Sequence, residues 1–352
     1  MLVYLGLLLL ILFLTLICNQ FIKDTKLKNK IITATALLII YLLYVLRDYA
    51  VGTDTDAYFA TYEQMKNVPF KDFDTIYMEK GYQFLMKICI LAKMDFRLFL
   101  CVGYAIAVVP LYFFITKFSK NVSLSIIFYI CYQFLSFSMS GVRQTIALGI
   151  CILSYLVLES KIKWKYLWFF LLVTAGFYIH KSALVFIFVP LVRKIPLNKT
   201  SLVSFVVMFL VAFAFKDKIS NFLAGYTGYA GTFTLGLNYM FVLFLIILSI
   251  MAIWYTNNIN EKPQNLEMAK WLKMSCYALL LHTTLYTTVL LRAASLLTIF
   301  FILLVPRIIE MFNEKTKKIL IPLIHLVLIL FFFITTLATN QLEITHYKFF
   351  WQ

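Results

Sequence analysis

"YLWFFLLVTAGFYIHKSALVFIFVPLV", residues 166–192, is an apolar run broken at its middle by His180, Lys181 and Ser182. A helix needs about 20 residues to cross a bilayer, so this stretch is long for one crossing and short for two. Its flanks decide how it sits. "KIKWK" (161–165) precedes it and "RKIPLNK" (193–199) follows it, and short loops rich in Lys and Arg stay on the cytoplasmic side of a membrane protein. A segment that starts and ends on one side has to turn back inside the membrane. The pattern therefore predicts two short helices meeting near His180–Ser182, packed among other helices because unpaired backbone cannot face lipid.

The rest of the chain obeys the same solvent. Of its 352 residues, 62% are hydrophobic and 14% charged, with mean hydropathy +0.89. Soluble domains are nearer half apolar and a quarter charged. This composition excludes a soluble globular protein and predicts an all-α, polytopic integral membrane protein forming a single membrane domain over 1–352. Further apolar runs lie at 2–22, 31–46, 98–116, 122–139, 142–158, 201–215, 237–256, 271–291, 293–309 and 319–338, which with the divided run makes about 12 segments. The first run lacks a basic start and a small-residue cleavage site, so it reads as a retained helix. The loops "KDTKLKNK" (23–30), "KFSK" (117–120) and "EKTKK" (314–318) are basic too. One orientation puts all five basic loops inside and both termini outside the cell. Most of the formal charge of +16 is then a topology signal, with some attraction to anionic lipid. No nucleic-acid partner is expected, since the cations are scattered over short loops. The six cysteines lie in or beside apolar runs without metal-type spacing and read as small core residues.

This orientation gathers polar residues on the outer face. Residues 47–97 form the longest outer segment. It opens with "RDYAVGTDTDAYFATY" (47–62), carries Asp54, Asp56, Glu63, Asp72, Asp74 and Glu79, and includes a short interfacial helix over 81–92 that would lie on the membrane as a lid. Arg143 and Gln144 open a span just after an outer turn, His180 and Lys181 sit where the two short helices meet, and Arg292 stands between spans. Ionisable groups at membrane depth are costly, so they mark a pathway, a ligand site or one another's partners. Blander roles compete. Arg47 ends a span and can snorkel to headgroups; His180 can be an interhelical hydrogen-bonder, and His282 a packing residue. His325 and His346 belong to no constellation. "DTD" (54–56) has a spacing that could chelate a cation, but the spacing alone is weak and no metal site is assigned. The preceding "GT" suggests a tight turn, with Asp54 placed to cap an amide or pair with an arginine.

Three stretches together carry a family resemblance. "RDYAVGTDTDAY" (47–58), "GVRQTIAL" (141–148) and "FYIHKSALV" (177–185) resemble, in order and separation, the motifs of the EpsG group of polysaccharide polymerases, related to the Wzy polymerases of O-antigen and capsule. The motifs cover about residues 40–190, and the pattern of spans extends the likeness through most of the chain. "LLRAASLLTIFF" (290–301) keeps an arginine but lacks the aromatic residue expected a few positions later. The resemblance implies a membrane-embedded, inverting glycosyltransferase at the outer face of a bacterial plasma membrane. Such proteins polymerise oligosaccharide repeat units carried on undecaprenyl diphosphate, releasing that lipid, to make O-antigen, capsule or exopolysaccharide. It further implies the lipid bilayer and a chain-length regulator protein as partners.

The residues suit that chemistry. Converging guanidiniums hold phosphate by directed, charge-assisted hydrogen bonds, which suggests Arg47, Arg143 and Arg292 as a diphosphate clamp needing no metal or other cofactor. The attacking sugar hydroxyl needs a base, either His180 or Asp54; alternatively His180 binds diphosphate and Asp54 orients an arginine. Glu79 and Gln144 suit sugar hydroxyls, and Lys181 suits phosphate. Most of the Phe and Tyr residues suit lipid-facing surface and interfacial belt, but outer-loop tyrosines such as Tyr58, Tyr226 and Tyr229 could stack on sugar rings. Two rival classes remain, a flippase or transporter of lipid-linked sugars and a membrane O-acyltransferase.

Overall fold

The long apolar runs fold as helices with the boundaries their polar punctuation dictates. A computed structural model describes residues 2–195, 199–215, 217–218, 221, 270, 273–275, 277–278, 296–340 and 342–352. Arg292, His282, Tyr226, Tyr229, Cys276 and the expected spans at 237–256 and 271–291, apart from a few residues of the latter, lie outside this set. In order, the helices are α1 (Leu2–Phe21), α2 (Thr25–Val45), α3 (Thr55–Met65), α4 (Lys80–Leu91), α5 (Phe96–Phe118), α6 (Val122–Cys131), α7 (Phe134–Ser140), α8 (Val142–Leu158), α9 (Lys165–Ile179), α10 (Val189–Lys194), α11 (Lys199–Ala214), α12 (Phe301–Ile309) and α13 (Glu314–Phe332). Asp24, Asp95 and Asn121 start α2, α5 and α6 by accepting hydrogen bonds from first-turn amides, supplying acceptors for donors the helix itself leaves open. No strand occurs among the described residues, only an isolated bridge between Arg47 and Phe349.

Among the described residues, four helical stretches are long and apolar enough to cross a membrane: Leu2–Phe21, Thr25–Val45, Phe96–Phe118 and Glu314–Leu337. The pair α6 and α7, bent by 50°, would be a fifth. At that bend Gln133 has φ +64°, a left-handed conformation that interrupts the helical ladder. The chain is thus all-helical and multi-pass, and the expected total of about 12 segments extends into residues outside the described set.

Chain contacts define two compact units, Met1–Lys181 with Glu314–Gln352, and Ser182–Asn313. The divided run straddles them: α9 stops at Ile179, His180 is extended (φ −156°, ψ 123°), and Lys181–Phe188 continues as a 3-10 helix. One side of α9 buries Phe169, Val173, Gly176 and Ile179, while Trp168, Phe170 and Leu171 are exposed. Its backbone is satisfied within the helix, so side chains alone meet lipid on that side.

In the first unit α5 and α8 cross at small residues. Gly103 and Ala107 lie one turn apart on α5, and a Cβ at Gly149 of α8 would stand 2.5 Å from the Cα of Ala107 and from the carbonyl oxygen of Ile106. Close backbone approach of this kind drives association where lipid offers helices no hydrophobic gain.

The helix ends sort by charge. Arg97 at the start of α5 donates to the Val45 carbonyl at the end of α2 (2.6 Å), and Arg47 donates to Met139 near the end of α7 (2.8 Å). The opposite ends of α2, α5 and α8 adjoin the basic loops around residues 23–30, 117–120 and 161–165. The final segment returns to the first set of ends. The amide of Asp48 donates to Lys348 (2.9 Å), that of Phe350 to Leu46 (3.0 Å) and that of Gly52 to Glu343 (3.2 Å), while Tyr4 donates to Ile344 (2.8 Å) and Tyr347 to Leu43 (2.9 Å). Both ends of the described chain therefore meet at one end of this unit. Burial pushes the Tyr347 phenol up to about 12, against the pull of Arg47 and Arg97.

Between α2 and α5, the 47–97 segment is tied internally. Lys87 of α4 buries its ammonium on the carbonyls of Met65 (3.0 Å) and Lys66 (3.3 Å), where α3 ends. The other face of α4 exposes Phe84, Ile88 and Leu91, the i, i+4, i+7 stripe of an interfacial helix.

Gly149→Ala is expected to destabilise the detergent-solubilised protein by about 1–3 kcal/mol, since the new methyl meets backbone. Gly6→Ala, with nothing within 4 Å of the added Cβ, is the control. Thermal unfolding of both variants checks this; equal midpoints would refute the tight crossing.

Candidate functional site

The site is built outward from Arg47. Its side chain is 0% exposed. Nε donates to the Val51 carbonyl (3.1 Å), Nη1 to Tyr44, and Nη2 to the Met139 carbonyl (2.8 Å) and to Thr55 Oγ1 (3.3 Å), while the guanidinium stands 5.3 Å from the centre of the Tyr104 ring. These partners belong to the end of α2, the following turn, the start of α3 and the last turn of α7, so one buried cation joins four pieces of chain. Gly52 lets the turn come close. Its φ is +96°, and a Cβ there would lie 2.5 Å from the Met139 carbonyl oxygen; only glycine fits both conditions. The hydroxyls of Thr53 and Ser140 also meet. The "VGTDT" turn is thereby fastened to residues 139–140, directly ahead of the helix that begins at Val142.

That helix presents Arg143 from its first turn. Arg143 Nη1 donates to Glu79 Oε2 at 2.6 Å, with side-chain exposures of 21% and 13%. Nε reaches the Tyr58 hydroxyl at 3.4 Å, and the guanidinium lies 5.5 Å from the centre of the Tyr58 ring. Glu79 stands at the N-cap of α4, yet its side chain makes no hydrogen bond to that helix. Its second oxygen, Oε1, accepts from the backbone N–H of Lys181 at 3.4 Å. One carboxylate thus joins the start of α8 to the chain just beyond α9. Gly81 permits it: a Cβ there would lie 2.7 Å from the Tyr178 carbonyl oxygen, so α4 rests against the last turn of α9.

The remaining expected residues surround this junction. Tyr58 is buried on α3, one turn after Asp54, whose carbonyl accepts the Tyr58 amide (3.1 Å). The Asp54 carboxylate heads α3, part-exposed, and makes no side-chain cap bond. Gln144 is buried beside Arg143, and His180 is part-buried, immediately before Lys181. Direct contacts thus join Tyr58, Glu79, Arg143 and the Lys181 amide, with Asp54, Gln144 and His180 next to them in the chain. The Lys181 side chain is exposed, and its backbone makes the contact. Arg47 turns its N–H groups to protein carbonyls and to the Thr55 hydroxyl.

Sequence reasoning missed several contributors. Tyr82 is fully buried, with its ring edge-on to Tyr58 at 5.9 Å, and its hydroxyl has no hydrogen-bond partner among the described residues. Burial pushes its phenol upward, so it stays a neutral hydroxyl. Its place three residues after Glu79, on the same helical face, was the available signal. Arg97, whose sequence neighbours carry no motif, donates to the Val45 and Arg47 carbonyls and stacks on Tyr49 and Phe350. Among the described residues, no three His, Cys, Asp or Glu side chains gather as a metal site.

A profile of the EpsG family matches residues 30–349. No curated protein and no solved structure matches the chain.

Replacing Arg47 by Ala removes its bonds to the Tyr44, Val51 and Met139 carbonyls and leaves the single Thr55 hydroxyl to serve the last two, at about 1–3 kcal/mol for each buried group left unpaired. Reduced abundance and a melting temperature well below wild type are expected. Retained stability with altered substrate affinity alone would show instead that Arg47 serves ligand rather than framework.

Proposed function

Since the chain belongs to the EpsG family, we propose that it is a membrane-embedded, inverting glycosyltransferase, a single transmembrane polymerase domain that joins oligosaccharide repeat units carried on undecaprenyl diphosphate. The observation that carries this reading is the Arg143–Glu79–Lys181 junction. It binds a guanidinium and a backbone N–H to the two oxygens of one carboxylate, with Gln144 and His180 adjacent in sequence to the two donors and Asp54 one turn before Tyr58, at a helix end away from the basic loops.

Several features support the reading. Positive loops mark the cytoplasmic side, so the end that bears Arg143, both chain ends and the 47–97 segment belong outside the cell, where the lipid-linked units are presented. This is the face of the bacterial plasma membrane at which O-antigen, capsule and exopolysaccharide chains are built, with a chain-length regulator as a further partner.

In the proposed reaction a hydroxyl at the non-reducing end of the incoming unit attacks the anomeric carbon that joins the growing chain to its lipid diphosphate. The new C–O bond forms on the face opposite the leaving group, which inverts the centre. The bond to the diphosphate breaks, and its electron pair leaves with the phosphate oxygen. Arg143 stabilises the negative charge that develops there, with the Lys181 N–H as second donor, at a part-buried site. Arg47 holds the frame, and Arg292, expected from the sequence as a further diphosphate contact, lies outside the described residues. The hydroxyl proton passes to Asp54 or His180. Asp54 has a carboxylate without a capping bond, and His180 immediately precedes Lys181. Tyr58 and Gln144 flank Arg143, suited to stack on or hydrogen-bond the sugar.

Arg143→Ala and His180→Ala are each expected to abolish chain growth while leaving abundance near wild type. The assay is ladder formation by purified protein in liposomes supplied with lipid-linked repeat units. Wild-type ladders from either variant would remove that residue from the mechanism, and lipid movement across the bilayer without new glycosidic bonds would favour a transporter. Chain growth is also expected to persist in EDTA, because cationic side chains supply the phosphate contacts. Loss on chelation, restored by Mg2+ or Mn2+, would make "DTD" a metal site.

A further inference from the structure

We propose that Glu79 is a built-in stand-in for substrate phosphate, a counter-ion that the incoming diphosphate displaces from Arg143 and from the Lys181 amide. The inference rests on the reading above and extends it by assigning the Lys181 backbone N–H as a phosphate ligand and Glu79 as its competitor.

Three observations carry it. First, the two oxygens of one carboxylate are divided between a guanidinium (2.6 Å) and a backbone amide (3.4 Å) from different helices. Two such donors spaced to suit the oxygens of one carboxylate also suit two oxygens of one phosphate, whose O···O separation is similar. Second, Glu79 occupies the N-cap of α4 but leaves that helix uncapped by its side chain. Its carboxylate therefore serves the junction, and it leaves the positive end of a twelve-residue helix beside the anion position. Third, the Tyr82 hydroxyl is fully buried on the same helix, within electrostatic reach of Tyr58, Arg143 and Glu79, and lacks a hydrogen-bond partner among the described residues. A buried hydroxyl without a partner is costly. Movement of the Glu79 side chain off Arg143 gives it one, either the departing carboxylate or the arriving oxyanion.

The energetic logic is a balance of like with like. A cation this shielded, left alone, would be penalised for desolvation. Glu79 neutralises it in the resting protein, and the diphosphate, with more negative charge and more acceptor oxygens, replaces a monoanionic carboxylate at the same donors. Binding and release then exchange one anion for another, so the site never holds a bare guanidinium near lipid.

The test compares wild type with Glu79→Gln in detergent, measuring KM for lipid-linked repeat units and the concentration of inorganic pyrophosphate that halves chain growth. Removing the competing charge is expected to lower both by roughly three- to tenfold, the effect of about 1 kcal/mol at a part-buried pair, with ladders still formed. Both values unchanged or raised would overturn the proposal and leave Glu79 a tether. Lost turnover at unchanged KM would overturn it too, placing Glu79 in the chemistry. Should Glu79→Gln fail to accumulate, Glu79→Asp, too short to span both donors, is expected to shift both values in the same direction, and unshifted values would refute the idea. A third arm adds phosphatidylglycerol to the micelles. Inhibition by pyrophosphate but not by this lipid supports the diphosphate, and the reverse would overturn it. A wild type that builds no ladders would sink the glycosyltransferase reading itself. Ladders from wild type with no tighter binding by the variant would sink only this proposal.

Discussion

A guanidinium shut away from solvent has to find acceptors inside the protein, and that requirement at Arg47 governs the arrangement of everything near it. Its donors go to Tyr44, Val51, Thr55 and Met139, which belong to elements separated by up to 92 positions in the chain. Each acceptor is a backbone carbonyl or a hydroxyl with a fixed address, so satisfying the cation also fixes the register of the "VGTDT" turn against the end of α7. Arg143 begins its helix only a few residues later. The position of the exposed arginine is thus inherited from the buried one.

The two arginines divide labour according to dielectric environment. Arg47 has neutral acceptors all round and a ring face at 5.3 Å, an arrangement that ties several segments of chain together. Arg143 has one strong anionic partner, partial exposure and an aromatic neighbour in Tyr58. A charge held by a single exchangeable counter-ion is the kind that can be handed to another anion. Arg97 adds a third pattern, a cation sandwiched by Tyr49 and Phe350, which binds the final segment of the chain to the start of α5.

Close packing makes these placements precise. Gly52, Gly81 and Gly149 each stand where a methyl would meet backbone of another segment, and they lie respectively under the Arg47 turn, under the Glu79 junction and at the α5–α8 crossing. In a bilayer the apolar faces of helices have no water to escape, so contact distance and hydrogen bonding decide which helices pair. The small residues bring backbones together; the buried polar residues then select one register among those the small residues allow.

What the sequence alone determined was the solvent and the punctuation. Composition required a membrane protein, apolar runs located α1, α5 and α8 to within two residues and α2 and α13 to within six, the interruption at His180–Ser182 located the break after α9, and three motifs identified the family. These are local signals, readable because helix formation and insertion depend on residues near in sequence. Tertiary structure alone decided how each charge is compensated. Arg47 and Arg143 look alike as arginines at helix ends. Only the packed chain shows neutral carbonyls converging on the first and the Glu79 carboxylate brought to the second from 64 positions away. The same holds for Tyr82 and for the segment 342–352, whose roles come from partners distant in the chain. Burial and hydrogen-bond satisfaction are properties of the packed chain, and no window of sequence contains them.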